Sequence, residues 1–180
     1  MRITRENTVG LIVDIQERLV PAMAEKQTFL NNTKILIEGL QTLSLNLLAT
    51  QQYTKGLGDT IPEISSLIKD FRPIEKRDFS CCDEAVVADE LKMNGAHNVI
   101  VCGIESHVCV MQTAIDLKES GYNPIVVMDC VSSRTLKNVE LAADRFRFEG
   151  IMMTSYESIL FELTRSAAAS EFKSISKLVK

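Results

Sequence analysis

The chain has 180 residues, 46% of them hydrophobic and 24% charged, which is typical of one well-packed globular domain, so we expect residues 1–180 to form a single domain. Its formal net charge of -4 at pH 7 gives no electrostatic attraction for the phosphates of nucleic acid, and we expect no nucleic-acid partner. The apolar runs are shorter than the roughly 18 residues that a membrane helix needs and no signal segment is evident, so we expect a cytoplasmic protein that does not bind membranes.

Short apolar runs alternate with segments of helical periodicity along the chain. The first run, Val9 to Asp14, is apolar up to its last residue, which is typical of a strand covered on both faces. Further strands are predicted at Leu45 to Thr50, Arg72 to Lys76, Asn98 to Gly103, Pro124 to Asp129 and Ile151 to Thr154. Helices are predicted at Phe29 to Leu43, Glu63 to Asp70, Glu84 to Met93, Val108 to Ser120, Lys137 to Glu149 and Ser155 to about Leu163, with a terminal helix within 171–180. This alternation predicts an α/β fold of three layers, α/β/α, around a mostly parallel six-stranded sheet.

Three reactive side chains follow predicted strands of this sheet: Asp14, Lys76 and Cys109. Ligands of such sheets bind beyond the carboxyl ends of the strands, so these side chains are candidates for a common site. A thiol is mostly protonated at neutral pH and needs a nearby cation, helix N-terminus or base to act as a nucleophile. Lys76 would favour the thiolate by its charge, and Asp14 would accept the proton. The alternative for each is structural, since aspartates at strand ends often form caps or ion pairs and free cysteines are often inert core residues.

The five cysteines are an odd number, which favours reduced thiols over a disulfide framework. Cys81 and Cys82 are adjacent and lack the Cys-x-x-Cys spacing of redox motifs, so we expect both to be reduced. Cys102 and Cys130 lie in or beside apolar strands and are expected to pack in the core.

The segment Val101-Cys-Gly-Ile-Glu-Ser-His-Val-Cys-Val110 resembles the nucleophile segment of the isochorismatase-like cysteine hydrolases, a family that includes nicotinamidases and carbamoyl hydrolases. Leu11-Ile-Val-Asp-Ile-Gln16 is similar to the family's first-strand motif with the acid, and Glu75-Lys-Arg-Asp-Phe-Ser80 is similar to its lysine motif. The likeness runs from about residue 8 to the tail, and it is greatest to isochorismatase-domain-containing proteins.

The resemblance implies an isochorismatase-like, Rossmann-like fold and a cysteine hydrolase that acts on a small amide or related carbonyl compound. Asp14 would be the general base, Lys76 would steady the thiolate, and Cys109 would form a covalent thioester. Backbone N–H groups of Glu105 and Cys109 would form the oxyanion hole, beside a cis peptide bond between Ile104 and Glu105. The side chains expected to contact the small-molecule substrate are Leu19, Tyr53, Ile104 and His107.

Family nicotinamidases bind a divalent metal through an aspartate and histidines after the second strand, where this chain has Gln52 and Thr54. Amide and hydroxyl groups are poor substitutes for carboxylate and imidazole, so we expect no metal, no other cofactor and no nicotinamidase activity. The histidines, His97 and His107, do not form a metal-binding cluster. His107 is as compatible with capping or core contact as with a place in the pocket.

Two other functions remain open from the sequence. One is isochorismate-type hydrolysis of a vinyl ether, which does not need the thiol as nucleophile. The other is a binding or scaffold protein of the same fold with weak or lost catalysis. We also expect a homo-oligomer, for which Phe146, Phe148 and Ile151 are candidate interface residues unless they pack in the core.

Overall fold

The computed structural model describes residues 2–180, whose strands form one six-stranded sheet of order β3-β2-β1-β4-β5-β6. The strands are β1 Thr8–Val13, β2 Asn46–Gln52, β3 Ile74–Lys76, β4 Asn98–Ile104, β5 Asn123–Ser132 and β6 Met152–Thr154. Each neighbouring pair is parallel, so the sheet is wholly rather than mostly parallel. All carboxyl ends therefore lie at one edge of the sheet.

Helices cover both faces of the sheet, which confirms the predicted three-layer α/β/α class. They are α1 Lys26–Thr42, α2 Thr54–Leu57, α3 Pro62–Ser65, α4 Ala85–Met93, α5 Met111–Glu119, α6 Leu136–Glu149, α7 Tyr156–Thr164 and α8 Phe172–Leu178. Leu36 of α1, Leu160 of α7 and Ile175 of α8 belong to one buried apolar cluster, whereas residues of α4, α5 and α6 belong to a second cluster on the opposite face. No helix within residues 2–180 combines the length and apolar character that a membrane crossing requires.

The two central strands, β1 and β4, approach each other closely at their carboxyl ends. Every residue of β1 is buried, as the continuous apolar run predicts. Gly103 pairs with Val13, and it has a φ of 121°. A Cβ atom on Gly103 would lie 2.1 Å from the carbonyl oxygen of Val13, so no larger residue fits there without moving the backbone. This contact fixes the position at which the chain leaves β1.

The candidate interface residues differ in exposure. Phe146 and Ile151 are buried among the core residues beneath α6, because they face the sheet. They cannot contribute to a surface interface without unfolding this layer. Phe148 is 85% exposed and stays a candidate.

Candidate active site

The three side chains singled out from the sequence meet at the carboxyl edge of the sheet. Asp14 directly follows β1, Lys76 is the last residue of β3, and Cys109 lies in a one-turn π-helix, Ser106–Val110, that follows β4. All three are buried. The charges of Asp14 and Lys76 both act on the Cys109 thiol, so residues far apart in the chain surround one small space.

Thr50, near the end of β2, fixes the orientation of Asp14. Its hydroxyl donates a hydrogen bond of 2.8 Å to Asp14 Oδ1, and its carbonyl oxygen accepts one of 3.3 Å from the Asp14 N–H. The backbone of Asp14 takes a φ of 51°, in the left-handed region, as the chain turns away from β1. One carboxylate oxygen is thus held, and the other is directed elsewhere.

Asp14 and Lys76 form an ion pair in which neither side chain is exposed, with Nζ 2.7 Å from Asp14 Oδ2. The hydrogen bonds of the ammonium go to other acceptors: Gln52 Oε1 at 2.7 Å and the carbonyl oxygens of Asp78 and Phe79, each at 3.0 Å. Asp14 Oδ2 therefore has a cation beside it but, among residues 2–180, no hydrogen-bond donor of good geometry. Its lone pairs remain available to a proton from another group.

The Cys109 thiol is protonated at rest. Burial, the largest influence, and the negative charge of Asp14 raise its pKa, the positive charge of Lys76 only partly offsets them, and the resulting pKa is about 12. Lys76 itself stays charged: burial, the largest influence, lowers its pKa, but the negative charge of Asp14 leads the influences that raise it, and the pKa lies above its ordinary value. The charge of Lys76 lowers the pKa of the thiol, but desolvation and the charge of Asp14 outweigh it, so Lys76 alone does not make Cys109 a thiolate at rest.

The turn that carries Cys109 differs from the single helix predicted over Val108 to Ser120. A cis peptide bond joins Ile104 to Glu105, at the place where the resemblance implies one. The Glu105 carbonyl oxygen then accepts hydrogen bonds from the N–H groups of Val108, at 3.0 Å, and Val110, at 3.2 Å. The second bond spans five residues, which is the π-helical spacing, and α5 begins only at Met111.

His107 contacts the neighbouring β5 strand end rather than facing open solvent. Its Nδ1 lies 2.9 Å from the hydroxyl of Ser133, which also has a short hydrogen bond with the hydroxyl of Ser106. Both serines are fully buried. Glu105 forms an ion pair with Arg134 at 3.0 Å, just beyond these residues. These contacts fasten the turn before Cys109 to the end of β5.

The other residues expected to contact substrate lie in three different settings. Tyr53 follows β2, is 38% exposed, and has the Arg77 guanidinium 4.2 Å from its ring centroid. Leu19 is partly buried against the core cluster beneath α1. Ile104 has no exposed side-chain surface and packs in that same cluster, so at this edge it offers its backbone rather than its side chain.

Sequence reasoning missed three residues of the site: Thr50, Gln52 and Cys81. Thr50 and Gln52 are two residues apart at the end of β2, so their side chains lie on the same face of the strand. The sequence does contain that signal. Cys81 Sγ lies 3.6 Å from Thr50 Oγ1, and burial raises the pKa of Cys81 to about 11. Cys81 is a free thiol, as expected, but it borders the site rather than lying apart from it.

The residues at the family's metal position do not fit a metal ion. Gln52 uses both ends of its amide, accepting from Lys76 and donating from Nε2 to the Arg77 carbonyl oxygen at 2.6 Å. The Thr54 hydroxyl accepts from Gln51 Nε2 at 3.1 Å. Among residues 2–180, no three His, Cys, Asp or Glu side chains are placed to bind a metal together. The donor set here is suited to holding an ammonium group.

A cleft of about 420 Å³ lies at the opposite edge of the sheet and is lined by residues such as Asn46, Lys69 and Glu90. It is near the amino end of β2, so it is remote from the thiol. Cys109 itself is 7% exposed. The thiol is therefore almost fully enclosed at the carboxyl edge of the sheet.

Comparison with known proteins gives a consistent result. A family model described as the isochorismatase domain matches residues 8–158. The secreted isochorismatase effector Isc1 of Phytophthora sojae is 36% identical over 99% of this chain and 87% of its own length. Isochorismatase domain-containing protein 2 of Danio rerio is 33% identical over 99% of this chain and 89% of its own. A solved structure named MAR1 ribonuclease, from Caenorhabditis elegans, superposes with a TM-score of 0.94 at 34% identity, covering 99% of this chain and 92% of that one.

Proposed function

This chain belongs to the isochorismatase-like hydrolase family, and from that premise we propose that it is a cysteine hydrolase that cleaves a small amide or related carbonyl compound. One observation carries the proposal. A carboxylate oxygen of Asp14 without a hydrogen-bond donor lies beside a buried, protonated thiol, in a space that also contains the Lys76 ammonium. A base, a nucleophile and a fixed positive charge are the groups that thioester chemistry requires.

In the first half of the reaction, Cys109 Sγ attacks the carbonyl carbon of the substrate as its proton passes to Asp14 Oδ2. The carbonyl oxygen becomes an oxyanion, stabilised by backbone N–H groups of Glu105 and Cys109. Asp14 then returns the proton to the leaving nitrogen, the C–N bond breaks, and an amine or ammonia departs. The product is a thioester at Cys109.

In the second half, Asp14 takes a proton from water, which attacks the thioester carbonyl carbon. The C–S bond breaks, the carboxylic acid leaves, and the thiol recovers its proton. Lys76 stays an ammonium throughout, because its three donors are occupied by neutral oxygens. Its charge lowers the energy of the sulfur anion without transferring a proton.

A screen of small primary amides tests the proposal, with Cys109→Ala as the inactive variant. We expect a fall in kcat/KM on the order of a thousandfold or more, since the variant has lost the proposed nucleophile. Cys82→Ser is the matched control, because it removes a thiol outside the proposed triad and should leave turnover unchanged. Acid quenching followed by intact-protein mass measurement should show an acyl adduct on Cys109. Full activity in the Cys109→Ala protein would rule the proposal out.

Vinyl ether hydrolysis of the isochorismate type is the alternative within the family. It would leave no acyl group on the protein and would survive removal of the thiol, so the same two measurements separate it from thioester chemistry. The buried thiol beside an unbonded carboxylate oxygen favours thioester formation. A binding or scaffold role would give no Cys109-dependent turnover on any compound in the screen.

RNA belongs in the screen as well, because one similar solved structure is named a ribonuclease. We expect no cleavage, since the formal net charge of -4 opposes RNA binding. RNA cleavage lost in Cys109→Ala but retained in Cys82→Ser would replace the amide proposal.

We further propose a homo-oligomer in which the exposed Phe148 contributes to the interface. A Phe148→Ser variant should shift the mass measured by light scattering towards that of one 20.1 kDa chain. A single-chain mass for the unaltered protein would count against assembly. A single domain over residues 1–180 and a cytoplasmic location stay predictions. One relative is named a secreted effector, so the location needs a direct test.

A further inference from the structure

Gln52, the last residue of β2, has hydrogen bonds on both its backbone and its side chain. The fully buried side-chain amide of Gln16 binds the Gln52 backbone: Gln16 Oε1 accepts from the Gln52 N–H at 2.7 Å, and Gln16 Nε2 donates to the Gln52 carbonyl oxygen at 2.9 Å. The Gln52 side chain is fixed as well. Its Nε2 donates to the Arg77 carbonyl oxygen at 2.6 Å, which turns its Oε1 towards Lys76.

The Lys76 ammonium has three N–H donors, and three neutral oxygens take them: Gln52 Oε1 and two backbone carbonyl oxygens. Two of those acceptors belong to the loop after β3, and only Gln52 comes from another strand. Lys76 Nζ also lies 2.7 Å from Asp14 Oδ2, in an ion pair whose angles are poor for a hydrogen bond. Gln52 thus binds one donor of the ammonium that is paired with the base carboxylate.

The charges of the buried cluster balance in this arrangement. Asp14 contributes one negative charge and Lys76 one positive charge, while Cys109 is neutral at rest. Formation of a sulfur anion adds a negative charge to this space, and a second carboxylate would oppose it. The acceptor at position 52 must therefore be polar enough to bind an ammonium and yet carry no charge. An amide is the side-chain group that meets both needs at this distance.

We propose that Gln52 is a positioning residue of the catalytic site: its neutral amide holds the Lys76 ammonium so that Asp14 Oδ2 stays free to take the thiol proton. The inference rests on the proposed function, because it assigns Gln52 to the proton transfer between Cys109 and Asp14. It also explains why a residue at the family's metal position has neither the charge nor the free lone pairs of a metal ligand.

Two substitutions at Gln52, each by a side chain of nearly the same length, distinguish the effect of charge from the effect of hydrogen bonding. Both variants lose the Nε2 donor to the Arg77 carbonyl oxygen. Gln52→Glu keeps an acceptor for Lys76 but adds a negative charge, so Cys109 should react with iodoacetamide about tenfold more slowly at pH 8, and the acidic limb of kcat/KM against pH should rise by about one unit. Gln52→Met removes the acceptor without adding charge, so kcat should fall about tenfold while the acidic limb stays in place. Gln27→Glu makes the same charge change at an exposed site on α1 and should alter neither.

The alkylation rate, followed by mass spectrometry of the Cys109 peptide, needs no substrate. If the unaltered enzyme shows no Cys109-dependent turnover, the proposed function fails, but a tenfold slower alkylation of Gln52→Glu still supports the role of Gln52. If Gln52→Glu matches the unaltered protein in both measurements, the role of Gln52 is wrong even where Cys109→Ala is inactive. Should Gln52→Glu not fold, Gln52→Met decides alone: an unchanged kcat overturns the proposal. Lower thermal stability in both variants without a change in alkylation or kcat indicates a merely structural residue and also overturns it.

Discussion

Replacing Asp14 with asparagine should have opposite effects on the two kinds of reactivity of Cys109. The negative charge of Asp14 raises the pKa of the thiol, and the charge of Lys76 lowers it. Asparagine has nearly the same shape but no charge, so in the variant burial still raises the thiol pKa, but Asp14 no longer opposes the charge of Lys76. We expect the thiol pKa to fall by about one to two units, which makes alkylation by iodoacetamide about 10- to 100-fold faster near neutral pH. Hydrolysis should become about 100- to 10,000-fold slower, because the proton acceptor is gone.

The cost to stability sets a limit on this experiment. Breaking a buried ion pair by removing one partner typically costs about 3 to 5 kcal/mol. Lys76 keeps its three neutral acceptors in the variant, so we expect a loss near the lower end of that range. Urea unfolding of both proteins gives this difference, and all kinetic measurements belong well below the unfolding midpoint of the variant.

Alkylation is best followed at the Cys109 peptide, because Cys82 is partly exposed and reacts separately. The alkylation rate of Cys82 in the Asp14→Asn protein serves as an internal control, since a general loosening of the fold would accelerate the alkylation of both Cys82 and Cys109. The reasoning is refuted if Cys109 alkylation slows in step with hydrolysis, for then Asp14 would activate the resting thiol rather than restrain it. Equal acceleration of Cys82 would indicate partial unfolding instead of a changed pKa.

Three further substitutions test the supports of the site. Thr50→Val deletes the hydroxyl that binds the Asp14 carboxylate. The free energy of unfolding in urea should fall by about 1 to 2 kcal/mol, and kcat/KM should fall roughly tenfold. Thr50→Ser should largely restore both. Gly103→Ala should destabilise the fold by more than about 3 kcal/mol, because the new Cβ would meet the Val13 carbonyl oxygen. Gly95 also has a positive φ, 59°, but open space around it, so Gly95→Ala should cost only about 1 kcal/mol, and equal melting temperatures of the two variants would contradict this. Burial raises the pKa of the Cys102 thiol from 9.0 to about 12. As pH rises, the thiol therefore loses its proton in the unfolded chain before it does so in the folded protein. The stability due to this thiol is complete below pH 9 and is lost between about pH 9 and 12. Over that interval, the unfolding free energy should fall about 1.4 kcal/mol per pH unit more steeply in the unaltered protein than in Cys102→Ala, and parallel curves would be inconsistent with a buried neutral thiol.

The fold could be predicted because its main signals are local. The continuous apolar run of β1 and the alternation of strands and helices are enough to indicate a parallel sheet covered on both faces. Boundaries were less accurate where tertiary contacts extend a strand: β5 runs from Asn123 to Ser132, well beyond the predicted end at Asp129. The helix predicted from Val108 begins instead as a π-turn at Ser106, because the Glu105 carbonyl oxygen accepts two N–H groups after the cis peptide bond. Propensity does not encode that geometry.

The site could be predicted only in part, for a related reason. Strand ends identify Asp14, Lys76 and Cys109, since residues that follow parallel strands gather at one edge. The sequence does not reveal which oxygen of Asp14 is bonded or how many acceptors surround Lys76. These contacts depend on Thr50 and Gln52, two polar residues at the end of a strand that gives no sign of function in the sequence. The direction of the net pKa shift of Cys109 does not follow from the sequence, because burial cannot be weighed against charge without distances.

The protonated thiol constrains how the proposed reaction can proceed. With a pKa of about 12, forming a free thiolate at pH 7 would cost about 7 kcal/mol before any bond to carbon had formed. That cost disappears if the proton moves to Asp14 as the sulfur attacks, because the buried space then never contains two separate anions beside one cation. The oxygen of Asp14 that has no hydrogen-bond partner can accept this proton, and the ammonium of Lys76 balances whichever of the two groups is negative at each moment. A site of this kind reacts slowly with general electrophiles and activates its nucleophile fully only when a carbonyl carbon lies within reach of the sulfur.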